Sequence, residues 1–247
     1  MAASEDSLSR AVARLWAEGL VAYPTETVWG LGARAESGPA VDRLRRWKGR
    51  HADQPTSLLV EGVDELPSLG FARNPLADQL IERFWPGPLT LILRHVGGLA
   101  AGIARADGAV GVRCSSHPLA AALAAAARSA GLGPITATSL NRSGEPAARS
   151  REHAAKICRG GPEAPLVLDE FEQGAVRKRG REEERADSAP STVVDVCGTR
   201  PRILRCGAIE RCAIEAVLGP VEHPDSADRV PSREQRERTD SERSEGA

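Results

Sequence analysis

Aromatic residues are scarce: one tyrosine, three phenylalanines and four tryptophans make up 3% of 247 residues. A base-stacking RNA surface needs exposed aromatic rings, so this composition argues against one. Neither sign of charge prevails, and the formal net charge is −1, so any affinity for nucleic acid has to come from a local patch. Lysine occurs only at Lys48, Lys156 and Lys178, the remaining basic residues being arginine. Five cysteines (Cys114, Cys158, Cys197, Cys206, Cys212) include no C-x-x-C pair and no zinc-like spacing with the five histidines. They read as free thiols in a reducing compartment. The opening M-A-A-S-E-D-S lacks a basic-then-apolar leader, and no apolar run approaches the ~20 residues of a membrane span. The expectation is a soluble cytoplasmic protein with no membrane partner.

Familiar catalytic signatures are also missing. There is no G-x-x-x-x-G-K-[ST] loop, and Gly30-x-Gly32 lacks the rest of a dinucleotide fingerprint. No carboxylate pair, Cys–His nucleophile or G-x-S-x-G elbow stands out. What is present is concentrated in residues 20–32, L-V-A-Y-P-T-E-T-V-W-G-L-G. An apolar run stops at Pro24, which cannot donate to a sheet ladder and therefore marks a strand end. Thr25 and Thr27 would then lie at the mouth of that strand, where open α/β sheets bind ligands. Gly30 and Gly32 allow a tight turn or a close approach to something bound. A plain turn capped by a threonine explains the same residues.

Hydrophobic spacing predicts helices over 9–19, 39–47, 75–84, 118–130, 151–158 and 209–218. It predicts strands over 20–23, 56–60, 89–93, 110–114, 135–139, 166–169, 192–196 and 202–204. The interleaving argues for an α/β sheet covered by helices, with antiparallel members where strands are adjacent in sequence. Residues 1–7 are expected to be flexible and 8–219 to form one catalytic domain. Residues 176–189 (V-R-K-R-G-R-E-E-E-R-A-D-S-A) read as a charged mobile insertion, and 220–247 as a disordered charged tail.

Four polar clusters fall at strand ends or loops: Thr25 with Thr27; Lys48-Gly49-Arg50; Arg113 at the end of V-G-V-R; and the 138–144 run T-S-L-N-R-S-G. Ser191 opens one late strand and Arg205 closes the next. Taken singly, these are a capped turn, cations favoured at a helix C-terminus, or an Asx-turn. Together, Lys48, Arg50, Arg113 and Arg205 supply charge while Thr25, Ser139, Asn141 and Ser191 supply neutral donors and acceptors. Such an inventory suits gripping anions, and phosphoryl or nucleotidyl transfer rests largely on gripping and charge neutralisation.

The ordered set Y-P-T-E-T-V-W-G-L-G, K-G-R, W-P-G-P-L-T, V-G-V-R, T-S-L-N-R-S-G, S-T-V-V-D and L-R-C-G resembles the YrdC-like family of threonylcarbamoyl-AMP synthases, in its short single-domain form. The resemblance covers residues 8 to 219. It implies an open, twisted, mixed parallel and antiparallel α/β sheet with helices on its faces, around a concave basic cavity. It implies a nucleotidyltransferase making threonylcarbamoyl-AMP and pyrophosphate from L-threonine, bicarbonate or CO2, and ATP with Mg²⁺. A separate transferase complex would pass the group to tRNA beside the anticodon; direct contact with tRNA or other double-stranded RNA is left open.

Carried over by motif, Lys48 and Arg50 face the phosphates and are the catalytic pair. Gln54, Ser139, Asn141 and Arg205 join them at the nucleotide, while Thr25, Arg113, Ala137 and Ser191 hold threonine. No protein side chain is implied as a metal ligand. Departures from the family pattern are Leu59 for a histidine near the threonine pocket, Leu140 within S-x-N, Gln54 for Asn or Lys, Trp29 for Tyr, and Cys206 for Pro. Leu140 is expected to reshape the cavity wall. Two rivals remain: a carbamoyl-adenylate-forming domain like that of hydrogenase-maturation carbamoyltransferases, and a non-catalytic module binding double-stranded RNA through phosphates.

Overall fold

The computed structural model describes residues 5–49, 54–161, 163–168 and 189–222. Arg50, the expected insertion apart from Ala189, residues 1–4 and residues 223–247 lie outside the described residues.

Helix α1 (Glu5–Trp16) leads to strand β1 (Val21–Tyr23), which turns back as β2 (Gly30–Gly32). Helix α2 (Gly38–Lys48) and strand β3 (Ser57–Leu59) follow, then a short 3-10 turn at Val63–Glu65 and β4 (Phe71–Ala72). Helix α3 (Pro75–Phe84) precedes the paired strands β5 (Leu89–His95) and β6 (Ala109–Arg113). Next come α4 (Pro118–Ser129), β7 (Ile135–Ser139), α5 (Arg151–Cys158) and β8 (Leu166–Val167). Strands β9 (Thr192–Asp195) and β10 (Arg202–Arg205) and helix α6 (Arg211–Leu218) complete the described elements. Past α6, Val221 is buried and Glu222 bridges to Arg202, so the described chain stays packed two residues beyond Pro220.

Ten strands join one sheet in the order β10-β9-β5-β6-β3-β7-β2-β1-β8, with β4 paired to β5 outside that path. β1 with β8, β3 with β6, and β5 with β9 run parallel; the other pairs are antiparallel. The two expected antiparallel pairs, β5–β6 and β9–β10, are both present. Adjacent strand residues face opposite sides. Leu58 therefore feeds a core with α3 and α6 residues such as Leu80 and Ile214, while Leu59 feeds another with Leu15 of α1 and Leu123 of α4. A third core gathers Leu31 with Leu44 and Trp47 of α2 and Ala154 of α5. No helix among the described residues is long and apolar enough to cross a membrane.

Local chemistry sets the helix ends. Ser37 Oγ accepts from Ala40 N at 3.3 Å to start α2, and Gly49 at φ 65° ends it. Helix α1 stops earlier than its spacing predicts because Glu18 takes a left-handed φ of 57° and Gly19 N–H caps Arg14 O at 2.8 Å. A Cβ on Gly19 would meet the Arg14 side chain at 2.3 Å, which is why glycine stands there.

The glycines of β2 sit in a strand rather than in a turn. Their neighbour is Tyr23, whose buried ring lies across β2 with its hydroxyl donating to Thr136 O at 3.2 Å. A Cβ on Gly30 would come within 2.6 Å of that ring. Gly30→Ala should therefore destabilise the protein by about 1–3 kcal/mol through overpacking. The check is the urea midpoint, which drops for this variant; an unchanged midpoint would mean the ring moves freely.

Candidate active site

Period-two alternation puts Ser57 and Leu59, Thr90 and Ile92, Gly111 and Arg113, and Ala137 and Ser139 on one face of four neighbouring strands. All eight line a single cavity of about 430 Å³, a size typical of small-molecule sites. Thr25, Lys48, Gln54, Asn141, Ser191 and Arg205 join its wall from loops and element ends. Thus Thr25, Lys48, Gln54, Arg113, Ala137, Ser139, Asn141, Ser191 and Arg205, singled out in sequence, converge on one hollow; Arg50 lies outside the described residues. The hollow rests on the sheet face, with strand interiors as its floor, rather than only at strand mouths.

Three polar groupings divide the wall. At the first, Lys48 ends α2 and is only 4% exposed. Its ammonium donates to Ser139 O, to Asn141 O at 3.2 Å and to Asn141 Oδ1 at 3.0 Å. Ser139 Oγ also donates to Asn141 Oδ1, at 2.6 Å, and Asn141 Nδ2 donates to Glu145 O at 2.7 Å. Lys48 thus satisfies both readings of its motif: a cation at a helix C-terminus, and part of a polar wall with the S-x-N element.

At the second, Arg113 Nη2 ion-pairs with Glu26 Oε1 at 2.9 Å and donates to Thr27 Oγ1 at 2.7 Å. Thr25 Oγ1 lies 3.4 Å from the same nitrogen, donates to Val28 O at 2.6 Å and accepts from Thr27 N at 3.1 Å. The capped turn and the cavity-lining hydroxyl are therefore one structure. Ser115 Oγ donates to Glu26 Oε2. Burial alone would raise the Glu26 carboxyl, but the Arg113 guanidinium and the Ser115 hydroxyl outweigh it and hold the group below the usual carboxylate range. Arg113 Nε is buried and has no hydrogen-bond partner among the described residues.

At the third, Arg205 donates from Nε and Nη2 to Ser191 O at 3.1 and 2.8 Å, and from Nη2 to Ser191 Oγ at 3.0 Å. Thr90 Oγ1 lies 2.9 Å from Ser191 Oγ. Arg205 faces no carboxylate among the described residues. Burial and the nearby Arg113 guanidinium both push its pKa down.

The described lining includes four cations (Lys48, Arg105, Arg113 and Arg205) and neither Asp nor Glu. Arg105 pairs with Asp195 at 2.6 Å and Asp107 at 2.8 Å, and Arg113 with Glu26 at 2.9 Å. Among the described residues, no group of three or more His, Cys, Asp or Glu is placed to hold a metal ion.

Sequence reasoning missed Ser57, Thr90, Gly111 and Arg105, and it passed over Glu26 inside its own most informative stretch. The signal for the first three was the two-residue period within strands already predicted. For Leu140 the expectation fails: the side chain is fully buried between Trp29, Trp47 and Ala148, away from the cavity. Residues 139 and 141 face the hollow and 140 points into the core. Leu59 does line the cavity, as an apolar patch near Arg113 and Ala137.

Known proteins are similar to this chain in sequence and fold. A family model described as telomere recombination, covering Sua5, YciO and YrdC, matches residues 13–207. The threonylcarbamoyl-AMP synthase of Bacillus subtilis (strain 168) is 34% identical over 222 residues, 90% of this chain and 59% of its own length. That of Pyrococcus abyssi is 36% identical over 206 residues, 83% of this chain and 55% of its own. The chain thus spans little more than half the length of both. The crystal structure of P. abyssi Sua5 complexed with L-threonine superposes with a TM-score of 0.75 at 32% identity, covering 87% of this chain and 58% of that one.

Proposed function

The chain belongs to the Sua5/YciO/YrdC family, and on that premise we propose that it joins L-threonine, bicarbonate or CO2, and ATP into threonylcarbamoyl-AMP, releasing pyrophosphate. The observation that carries this reading is the convergence of the nine described candidate residues on one cavity. Relatives named threonylcarbamoyl-AMP synthase and a relative solved with L-threonine support it.

The chemistry needs no covalent enzyme intermediate. The neutral threonine amine adds to CO2, losing a proton and forming a carbamate. A carbamate oxygen attacks the α-phosphorus in line, and the bond to the pyrophosphate oxygen breaks. What the protein must supply is orientation and charge neutralisation. Arg113, with its unpartnered buried Nε, and Thr25, Ala137 and Ser191 would hold the amino acid. Lys48, Gln54, Ser139, Asn141 and Arg205 would hold the nucleotide, with Arg50 beside Lys48 on the phosphates. An anion between Arg205 and Arg113 would offset both the burial and the Arg113 repulsion that depress the Arg205 pKa. Mg²⁺ belongs to the substrate MgATP, where it would neutralise phosphate charge. The product would pass in the cytoplasm to a transferase complex that modifies tRNA.

Purified protein with ATP and bicarbonate should release pyrophosphate only when L-threonine is present. Release that depends instead on carbamoyl phosphate would assign a carbamoyl-adenylate former, and no release under any condition would leave a phosphate-binding module.

A further inference from the structure

We propose that Arg142 is a positioning residue: it clasps the end of α2 and thereby fixes the Lys48 ammonium against Ser139 and Asn141. This deepens the reading of the cavity as a nucleotide site and rests on it.

The last turn of a helix leaves carbonyls without intrahelical partners. At α2 two of these are Trp47 O and Lys48 O, and both are taken by the loop after β7. Ser143 N–H donates to Lys48 O at 2.8 Å. Arg142 Nη1 donates to Trp47 O. The same guanidinium lies 4.2 Å from the centroid of the Trp47 ring, a cation–π geometry. Trp47 is 3% exposed and wedged among Leu31, Leu44 and Leu140, so the ring is a fixed platform. A cation at this point also suits the negative end of the helix dipole.

Arg142 touches none of the cavity and would be passed over as an exposed arginine. Its partners explain why it stands there. Lys48 and Asn141, separated by 93 residues, must face the same space for one to hold the other. Lysine is a flexible four-carbon stem with a point charge at its end. Its direction is set by the backbone that Arg142 and Ser143 hold in place. If that helix end frays, the ammonium loses its aim even though it remains in the molecule.

The experiment compares wild type, Arg142→Ala and Arg142→Lys by steady-state kinetics and by NMR of protein carrying ¹³C at lysine Cε. The chain has three lysines, so its spectrum is sparse, and Lys48→Gln identifies the Lys48 signal. Arg142→Ala should lower kcat/KM for ATP by ~10–100-fold, the scale of a misplacement of about 1 Å, and leave KM for L-threonine unchanged. Its Lys48 resonance should move towards that of exposed Lys156. Arg142→Lys should fall between, because one ammonium cannot both stack on the ring and reach the carbonyl with a fork. If Arg142→Ala does not fold, the Arg142→Lys comparison decides. A Lys48 resonance that stays in place in a folded variant, or an unchanged kcat/KM for ATP, overturns the proposal. If wild type itself shows no threonine-dependent turnover, the reaction assigned above falls, while the resonance still tests the clasp.

Discussion

Lys48→Ala is expected to fold normally and to release pyrophosphate ~10²–10³-fold more slowly than wild type, the scale found when one preorganised electrostatic group is removed from an active site. The side chain is 4% exposed, and its ammonium donates to two backbone carbonyls and an amide oxygen. Backbone and amide dipoles hold the ammonium at the cavity wall. Lys48→Arg is not a conservative control, since a planar fork does not reproduce a point charge among three converging oxygens. The measurement is single-turnover pyrophosphate release at saturating ATP and threonine, with circular dichroism confirming the fold. A rate within about twofold of wild type would remove Lys48 from the machinery, because even a weak electrostatic contact exceeds that.

The second large effect concerns stability. Glu26 and Arg113 form a largely buried pair, their side chains 13% and 10% exposed. Glu26→Ala leaves the guanidinium with two threonine hydroxyls and no counter-charge, a change that should cost about 3–5 kcal/mol. Glu26→Gln keeps an acceptor for Ser115 and should cost less. The urea midpoints of the two variants give the comparison; Glu26→Ala as stable as wild type would mean that Arg113 finds water or another partner.

The same pair fixes a pH dependence. Because the folded Glu26 carboxyl titrates below its ordinary value of 4.5, its contribution to stability is complete above that pH. The contribution is lost as pH falls from there through the folded pKa. Between pH 6 and pH 3, ~RT-scale proton linkage should make wild type lose more stability than Glu26→Gln does. Parallel curves for the two proteins would assign the acid sensitivity to other carboxylates.

Much of the fold was legible where local chemistry punctuates the chain. Helices α3 and α5 and strand β7 fall on the residues that hydrophobic spacing predicts. Asn74 caps α3 by accepting from Ala77 N at 2.9 Å, and Ser150 caps α5 by accepting from His153 N at 3.1 Å. Both caps are short-range signals. Strand β2 was not legible. Gly-Leu-Gly has no strand propensity of its own, and these residues are extended because β1 and β7 flank them and Tyr23 needs space. The two-residue strand β4 exists only through its pairing with β5.

The site divides in the same way. Its charged and hydroxyl residues stood out by type, but the cavity floor did not. Ser57 and Gly111 look like ordinary strand residues until four strands are laid side by side. Glu26 belongs to no carboxylate pair, so its residue type alone did not mark it. Its role is to hold an arginine, and that is visible only when the 26–113 contact is formed. Leu140 was misjudged for the complementary reason, since alternation across Ser139-Leu140-Asn141 sends its side chain to the core.

If loops distant in sequence build one cation-lined hollow for a triphosphate beside an amino acid, a crystal structure with a non-hydrolysable ATP analogue, Mg²⁺ and L-threonine will show both there. Both ligands should occupy the 430 Å³ cavity, with phosphates at Lys48 and Asn141 and the amino acid carboxylate at Arg113. Nucleotide bound on any other surface, with Lys48, Asn141 and Arg113 left untouched, would contradict this arrangement.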